Sequence, residues 1–293
     1  MATEPRIKIT APTIRERKGH QKIGMVTAYD TPGAIVASEA GADVILVGDS
    51  VANTVLGYDT TLAVDVGVMI HHTAAVKRAK PHSLILGDLP WMSYHLSPED
   101  ALLNASRLVR EGGAEAVKLE GGRERMDVVR AIVSAEIPVM GHIGLTPQSV
   151  HAMGGYKVQG RAVEDARAIL TDAHALEEAG VFAVLLEGIP ENLGKLITEE
   201  LAVPTIGIGA GKYCDGQVLV FHDVLGLHDD SYPKFVRRYA DLKSLAVEAL
   251  SSYFADVQSG AFPGDEETYH MSDEVAAELL VNRHNNLSRP MNW

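Results

Sequence analysis

Apolar runs recur along this chain, and several of them end on an acid. Val44-Ile45-Leu46-Val47 leads into Gly48-Asp49-Ser50, and Leu84-Ile85-Leu86 leads into Gly87-Asp88. Val117-Lys118-Leu119 ends at Glu120, and Val184-Leu185-Leu186 ends at Glu187. Near-continuous apolar runs of this length are what strands buried on both faces require. Eight strands are predicted, at about 24–29, 43–48, 83–88, 115–120, 138–142, 182–187, 204–208 and 217–222. Helical patterns lie between most of them. Ser97-Pro98-Glu99-Asp100 supplies a cap, an early proline and early acids. Ala101, Leu102, Ala105, Leu108 and Val109 then share one face, with Gly112 as the stop. A second helix is predicted over about 162–179, ending at Gly180. Strands alternating with helices mean crossover connections and a parallel sheet. Eight such units predict an α/β fold, the TIM (β/α)8 barrel, as a single domain. The expected organisation is an N-terminal arm or helix over 1–22, the barrel over 23–263 and a tail over 264–293 with a short helical stretch near 272–282.

In such a barrel every strand's C-terminal end opens onto one mouth, where active sites sit. Acids arriving there separately form one cluster, which is costly unless a cation neutralises it. Asp49, Asp88 and Glu120 are therefore candidate ligands for a hard ion such as Mg²⁺. Taken singly, each is equally well explained as a helix N-cap after a strand. Lys118 is two residues before Glu120, so both point to the same side of the strand. It is placed to pair with a substrate carboxylate or enolate, or with a neighbouring acid. Glu187 closes the sixth apolar run, whose surroundings make it a candidate general base; an orienting acid is the alternative. His142, within Gly141-His142-Ile143-Gly144, is either a substrate hydrogen-bonding group or a structural histidine. His71 and His72 diverge on a helix and read as non-ligands. Gly207-Ile208-Gly209-Ala210-Gly211 reads as a close-packing turn rather than a phosphate cradle, and Cys214 as a plain thiol. The long loops at 51–64 and 147–161 belong at the mouth.

The length of 293 residues suits one barrel with end extensions, and 46% hydrophobic residues allow a large core. A net charge of −13 argues against nucleic acid and anionic membrane surfaces as partners. A single cysteine rules out an intrachain disulfide framework and fits a reducing, cytoplasmic compartment. No apolar run reaches membrane-spanning length, and the first 22 residues lack the apolar stretch of a secretory signal.

Longer motifs then stand out in order. They are Val26-Thr27-Ala28-Tyr29-Asp30, Leu46-Val47-Gly48-Asp49-Ser50, Asp88-Leu89-Pro90 and Val117-Lys118-Leu119-Glu120-Gly121-Gly122. Gly141-His142-Ile143-Gly144-Leu145-Thr146-Pro147-Gln148, Gly154 to Arg161, Ile206 to Gly211 and Asp215-Gly216-Gln217 follow. Over roughly residues 8–264 the chain resembles the ketopantoate hydroxymethyltransferase family. The resemblance implies a TIM barrel, often assembled as a homodecamer. It also implies transfer of a hydroxymethyl group from 5,10-methylenetetrahydrofolate to a small 2-oxo acid, 3-methyl-2-oxobutanoate, with Mg²⁺. By the same resemblance Asp49 and Asp88 ligate the metal, Glu120 completes the site directly or through water, and Glu187 is the general base. The resemblance further implies that Asp49, Ser50, Asp88 and Lys118 contact the oxo acid. The basic residues Lys157, Arg161 and Lys212 on mouth loops are candidates for the folate's anionic tail, or else ordinary solvated charges. The tail past Gly264 and Lys212-Tyr213-Cys214 depart from the family pattern. Two rivals share parts of this reading. One is a Mg²⁺-dependent lyase or mutase like the isocitrate lyase and phosphoenolpyruvate mutase group, whose reactive cysteine loop is not seen here. The other is a non-catalytic barrel that binds an oxo acid.

Overall fold

The computed structural model of the chain describes residues 7–228 and 232–287, with side chains to 280. Eight strands form a closed barrel: β1 Ile23–Thr27, β2 Val44–Val47, β3 Leu84–Asp88, β4 Ala116–Glu120, β5 Val139–Gly144, β6 Ala183–Glu187, β7 Thr205–Ile208 and β8 Gly216–Leu219. Each strand pairs in parallel with the next, and β8 returns to β1, as the TIM (β/α)8 reading requires. The clearest departure in strand bounds is at β8. There the chain leaves the sheet early and Phe221–Leu225 turns into a short helix.

Strand periodicity divides the side chains into two sets. On β3, Leu84 and Leu86 face the lumen and join its apolar cluster, whereas Ile85 belongs to the cluster under the helices. On β4, Ala116 faces in while Val117 and Leu119 face out. The inward series continues toward the mouth as Asp88 on β3, Lys118 and Glu120 on β4, His142 on β5 and Glu187 on β6. The lower layers of the lumen are thus apolar and the top layer is ionic. The N-terminal arm contributes to the lower layers. Helix Ala11–Glu16, capped by the Thr10 side chain, joins Ile14 and Ala11 to the lumen cluster.

The helix begun by Ser97 and Pro98 has a regular α part over Pro98–Arg107, then a wider π turn over Leu108–Gly112. Its stop falls one residue later than the sequence suggests, at Gly113. That residue has φ +76°, a left-handed backbone that glycine adopts without strain. The loop at 51–64 holds a single helical turn, Val51–Thr54, and a 3₁₀ turn, Thr61–Ala63. The loop at 147–161 opens with a 3₁₀ turn, Pro147–Ser149, followed by Val150–Met153.

Residues Met1–Ala240 form one compact unit, which holds the barrel, and Asp241–Trp293 form a second. The second unit contains helices Leu242–Ser259 and Asp273–Leu287, and Gly264, the expected start of the tail, lies between them. Among the described residues no helix is long and apolar enough to cross a membrane.

Ile14 is fully buried in the lumen cluster. Ile14→Ala should therefore destabilise the protein by about 2–5 kcal/mol. Urea denaturation is the check, and a loss well under about 1 kcal/mol would mean that the arm does not complete the core.

Candidate active site

The register of the barrel sets the ionic layer side by side. Asp88 lies opposite Lys118, Glu120 opposite His142, and Gly144 opposite Glu187. Lys118 Nζ donates to Asp88 Oδ1 at 2.7 Å and Oδ2 at 2.9 Å, and stands 3.8 Å from Glu120 Oε1. His142 bridges the next pair. Its Nδ1 is 3.4 Å from Glu120 Oε1 and its Nε2 is 3.3 Å from Glu187 Oε2. Both contacts are off hydrogen-bond alignment but close enough for charge pairing. Gly144 has φ +94°, and a Cβ there would collide with the Glu187 carbonyl oxygen, so only glycine lets β5 pass so close to the end of β6.

Asp49 reaches this cluster by a different route. It follows β2 after Gly48, beyond the strand, and its backbone N–H donates to Asp88 Oδ2 at 3.1 Å. Asp49, Asp88, Lys118, Glu120, His142 and Glu187 all line one cavity of about 110 Å³. The first five are each no more than 4% exposed, whereas the Glu187 side chain is 15% exposed. Ser50 lines the same cavity, its Oγ 2.8 Å from the buried Tyr29 hydroxyl. The structure thus gathers every acid, the lysine, the histidine and the serine singled out from sequence.

The electrostatics follow from this crowding. Burial, with repulsion from Asp88 and Glu120, pushes the Asp49 carboxyl well above its usual range. Burial also raises Asp88, although Lys118 opposes the shift. For Glu120, burial is outweighed by His142, Lys118 and the Gln148 N–H, which hold it low. For Lys118, burial is outweighed by Asp88, Glu120 and Asp49, which keep it charged. His142 loses hydration, yet Glu120 and Glu187 outweigh that and raise its pKa to about 9. Four carboxyl groups thus face two cations, and the acids outnumber the groups that could neutralise them.

Some expectations change in detail. The surroundings of Glu187 are the His142 ring rather than an apolar wall. Part of the neutralisation assigned to a metal is done by Lys118 and His142. Among the described residues no group of three or more His, Cys, Asp and Glu side chains is arranged to hold a metal ion. The surplus of acids and the crowded Asp49–Asp88 pair still suit a hard divalent cation held by few protein ligands, with water or substrate oxygens completing its shell. His72 donates its Nδ1–H to the Tyr29 carbonyl at 2.7 Å. Cys214 is buried, and burial raises its pKa. A Cβ on Gly209 would press on the Phe235 ring, consistent with a close-packing turn. Lys157, Arg161 and Lys212 are exposed and do not line the cavity.

Two buried residues of the site carried no functional role in the sequence reading. Gln148 and Tyr94 are hydrogen-bonded to each other at 2.5 Å; Gln148 also donates to the Asp49 and Glu120 carboxylates, and Tyr94 accepts the Glu120 backbone N–H. Gln148 had a visible signal, since it closes the Gly141–Gln148 motif, whereas Tyr94 had none.

A family model described as ketopantoate hydroxymethyltransferase matches residues 8–265. A 3-methyl-2-oxobutanoate hydroxymethyltransferase of Syntrophomonas wolfei is 52% identical over 273 residues, covering 93% of this chain and 99% of its own. One of Geobacter metallireducens is 57% identical over 249 residues, covering 85% and 93%. Among solved structures, phosphonopyruvate hydrolase superposes with a TM-score of 0.58 at 12% identity, covering 95% of this chain and 97% of its own. For 2,3-dimethylmalate lyase the values are 0.56, 16%, 97% and 98%. At such identities these two likenesses speak for the fold alone.

The His142 shift has a definite sign. Its folded pKa of about 9 lies above the ordinary 6.5, so the stability it contributes is full below about 6.5 and is lost as pH rises through about 9. In metal-free protein, imidazole NMR should find His142 still protonated at about pH 8. A ring already neutral there would mean that its two carboxylate contacts do not persist in solution.

Proposed function

The chain belongs to the ketopantoate hydroxymethyltransferase family, and from that premise we propose that 5,10-methylenetetrahydrofolate is its one-carbon donor and a metal-stabilised enolate its route. In this reading the acceptor is C3 of 3-methyl-2-oxobutanoate, and the products are 2-dehydropantoate and tetrahydrofolate. One observation carries it. A small cavity holds more carboxyl groups than cations, and one of them, Glu187, is partly exposed beside an imidazole.

A C3–H beside a ketone is too weak an acid for an unaided carboxylate. Mg²⁺ held by Asp49 and Asp88, with Glu120 reaching it directly or through water, would supply Lewis acidity toward the 2-oxo group. Glu187 removes the C3 proton. His142, with Nε2 3.3 Å from Glu187 Oε2, steadies that carboxylate and offsets charge as the proton moves. Lys118 directs N–H groups at Asp88, and its remaining N–H is available to a substrate oxygen. Ser50, held by Tyr29, orients the substrate carboxylate. The C–N10 bond of the folate opens, N10 taking a proton, and C3 bonds to the carbon of the N5 iminium so formed. Water then replaces N5 on that carbon, its oxygen becoming the hydroxyl group and its proton going to N5, which releases tetrahydrofolate. Burial keeps bulk water from quenching C3 before the transfer.

Proton NMR with 3-methyl-2-oxobutanoate, the folate and Mg²⁺ in D₂O, with an EDTA control, tests the whole reading. Metal-dependent loss of the C3 proton signal and growth of hydroxymethyl product are expected. Exchange without product would remove the folate donor, and neither in folded, metal-loaded protein would overturn the reading. Glu187→Gln should lower kcat by about 10²- to 10⁴-fold while substrate binding is retained. Near-native turnover would sink its role as base.

Lys157, Arg161 and Lys212 are proposed to attract the folate's glutamate tail, because they are exposed cations on an acidic chain. The triple alanine variant should raise KM for a polyglutamylated folate severalfold. An unchanged KM refutes that role.

A further inference from the structure

Gln148 ties the two sides of the site together, and none of the chemistry proposed above uses it. It is buried on the 3₁₀ turn that follows β5. Its Nε2 donates to Asp49 Oδ2 at 2.9 Å and to the Leu89 carbonyl at 3.0 Å. Its Oε1 accepts from the Tyr94 hydroxyl at 2.5 Å, and its backbone N–H donates to Glu120 Oε2 at 3.0 Å. The polarity of this network is determined. A carbonyl only accepts, so Leu89 holds the NH₂ end of the amide toward itself and Asp49. The Tyr94 hydroxyl accepts the Glu120 N–H at 3.2 Å, which leaves its own proton for Gln148 Oε1.

Asp49 needs such a partner more than the other acids do. Asp88 and Glu120 stand on strands, where the pleat aims their side chains into the lumen. Asp49 lies past the end of β2, so no ladder orients it, and Asp88 and Glu120 both repel it. Lys118 directs its hydrogen bonds to Asp88. Among the described residues, the hydrogen-bond donor that reaches the Asp49 carboxylate is Gln148.

We propose that Gln148 is a positioning residue: its amide holds the Asp49 carboxylate, and its backbone N–H the Glu120 carboxylate, where a divalent cation and the 2-oxo acid need them, with the Tyr94 hydroxyl locking the amide. This rests on the reading of the site under Proposed function. It goes further by making the loop after β5 responsible for a ligand that follows β2.

Gln148→Met keeps the side-chain length and removes the donor. Two measurements decide the matter. The first is a crystal structure of the metal-free variant beside that of the wild type, where the Asp49 side chain should leave its position. The second is Mn²⁺ binding without substrate, followed by paramagnetic resonance of the free ion. There Kd should rise about 10- to 100-fold, as for other groups that orient metal ligands. Tyr94→Phe should give a smaller rise, because the Leu89 bond still holds the amide. An Asp49 side chain unmoved in Gln148→Met, with Mn²⁺ affinity within twofold of wild type, overturns the proposal. Should Gln148→Met fail to fold, Gln148→Glu serves. It keeps the shape and the bond from Tyr94 but sets an acceptor against Asp49, and native Mn²⁺ affinity there would again be fatal. Wild-type protein that binds no Mn²⁺ would instead sink the cation reading, and the two crystal structures would still decide whether Gln148 positions Asp49.

Discussion

Carboxylates brought out of water into one cavity lose their hydration and repel one another, at an effective cost of several kcal/mol per ion. The barrel brings Asp49, Asp88, Glu120 and Glu187 into such a cavity. What makes this tolerable is the pairing of opposite charges across neighbouring strands: Lys118 beside Asp88, and His142 between Glu120 and Glu187. The pairing comes from the strand register, because Asp88 lies opposite Lys118 and Glu120 opposite His142. A slip of one residue in either pair would turn the ionic side chains out among the helices and leave their partners unmatched.

The same register separates stability from chemistry. Below the ionic layer the lumen is filled by apolar side chains, and helix Ala11–Glu16 adds Ile14 to that filling. The apolar layers give the strands a fixed floor, and the mouth can then carry repulsion that a small, loosely packed domain would relax by moving. The acids left over after Lys118 and His142 are counted are what a hard cation would neutralise in the function proposed for the site. Glu187 stands apart in exposure, which suits a group that takes up and gives back a proton more than one that is held permanently in an ion pair.

Much of this was legible in the chain. Apolar runs ending on acids located β2, β3, β4 and β6 and their mouth ends, and the two-residue spacing of Lys118 and Glu120 put both in the lumen. Family motifs then identified the likeness over nearly the whole barrel, in agreement with the match over residues 8–265. Three features were not legible. The environment of Glu187 read as apolar because the residues preceding it are, yet its neighbour in space is His142, 45 positions back in sequence and on the adjoining strand. The helix stop moved from Gly112 to Gly113 because a π turn absorbs one extra residue, and periodicity alone does not register such a turn. Tyr94 sits in a mouth loop with no pattern to mark it.

The sequence by itself determined the alternation of strands and helices, the side of each strand on which an ionic group lies, and the family. These are local properties, set by the two-residue period of a strand, the 3.6-residue period of a helix and the residues that begin and end each. Tertiary structure alone decided which charge meets which, and that Gln148 crosses from the loop after β5 to reach Asp49. Those contacts span residues 49, 88, 120 and 148, and they exist only once the barrel has closed. The physical reason is that hydrogen bonds and ion pairs act over a few ångströms, whatever the separation along the chain, so closure, and not local pattern, chooses the partners.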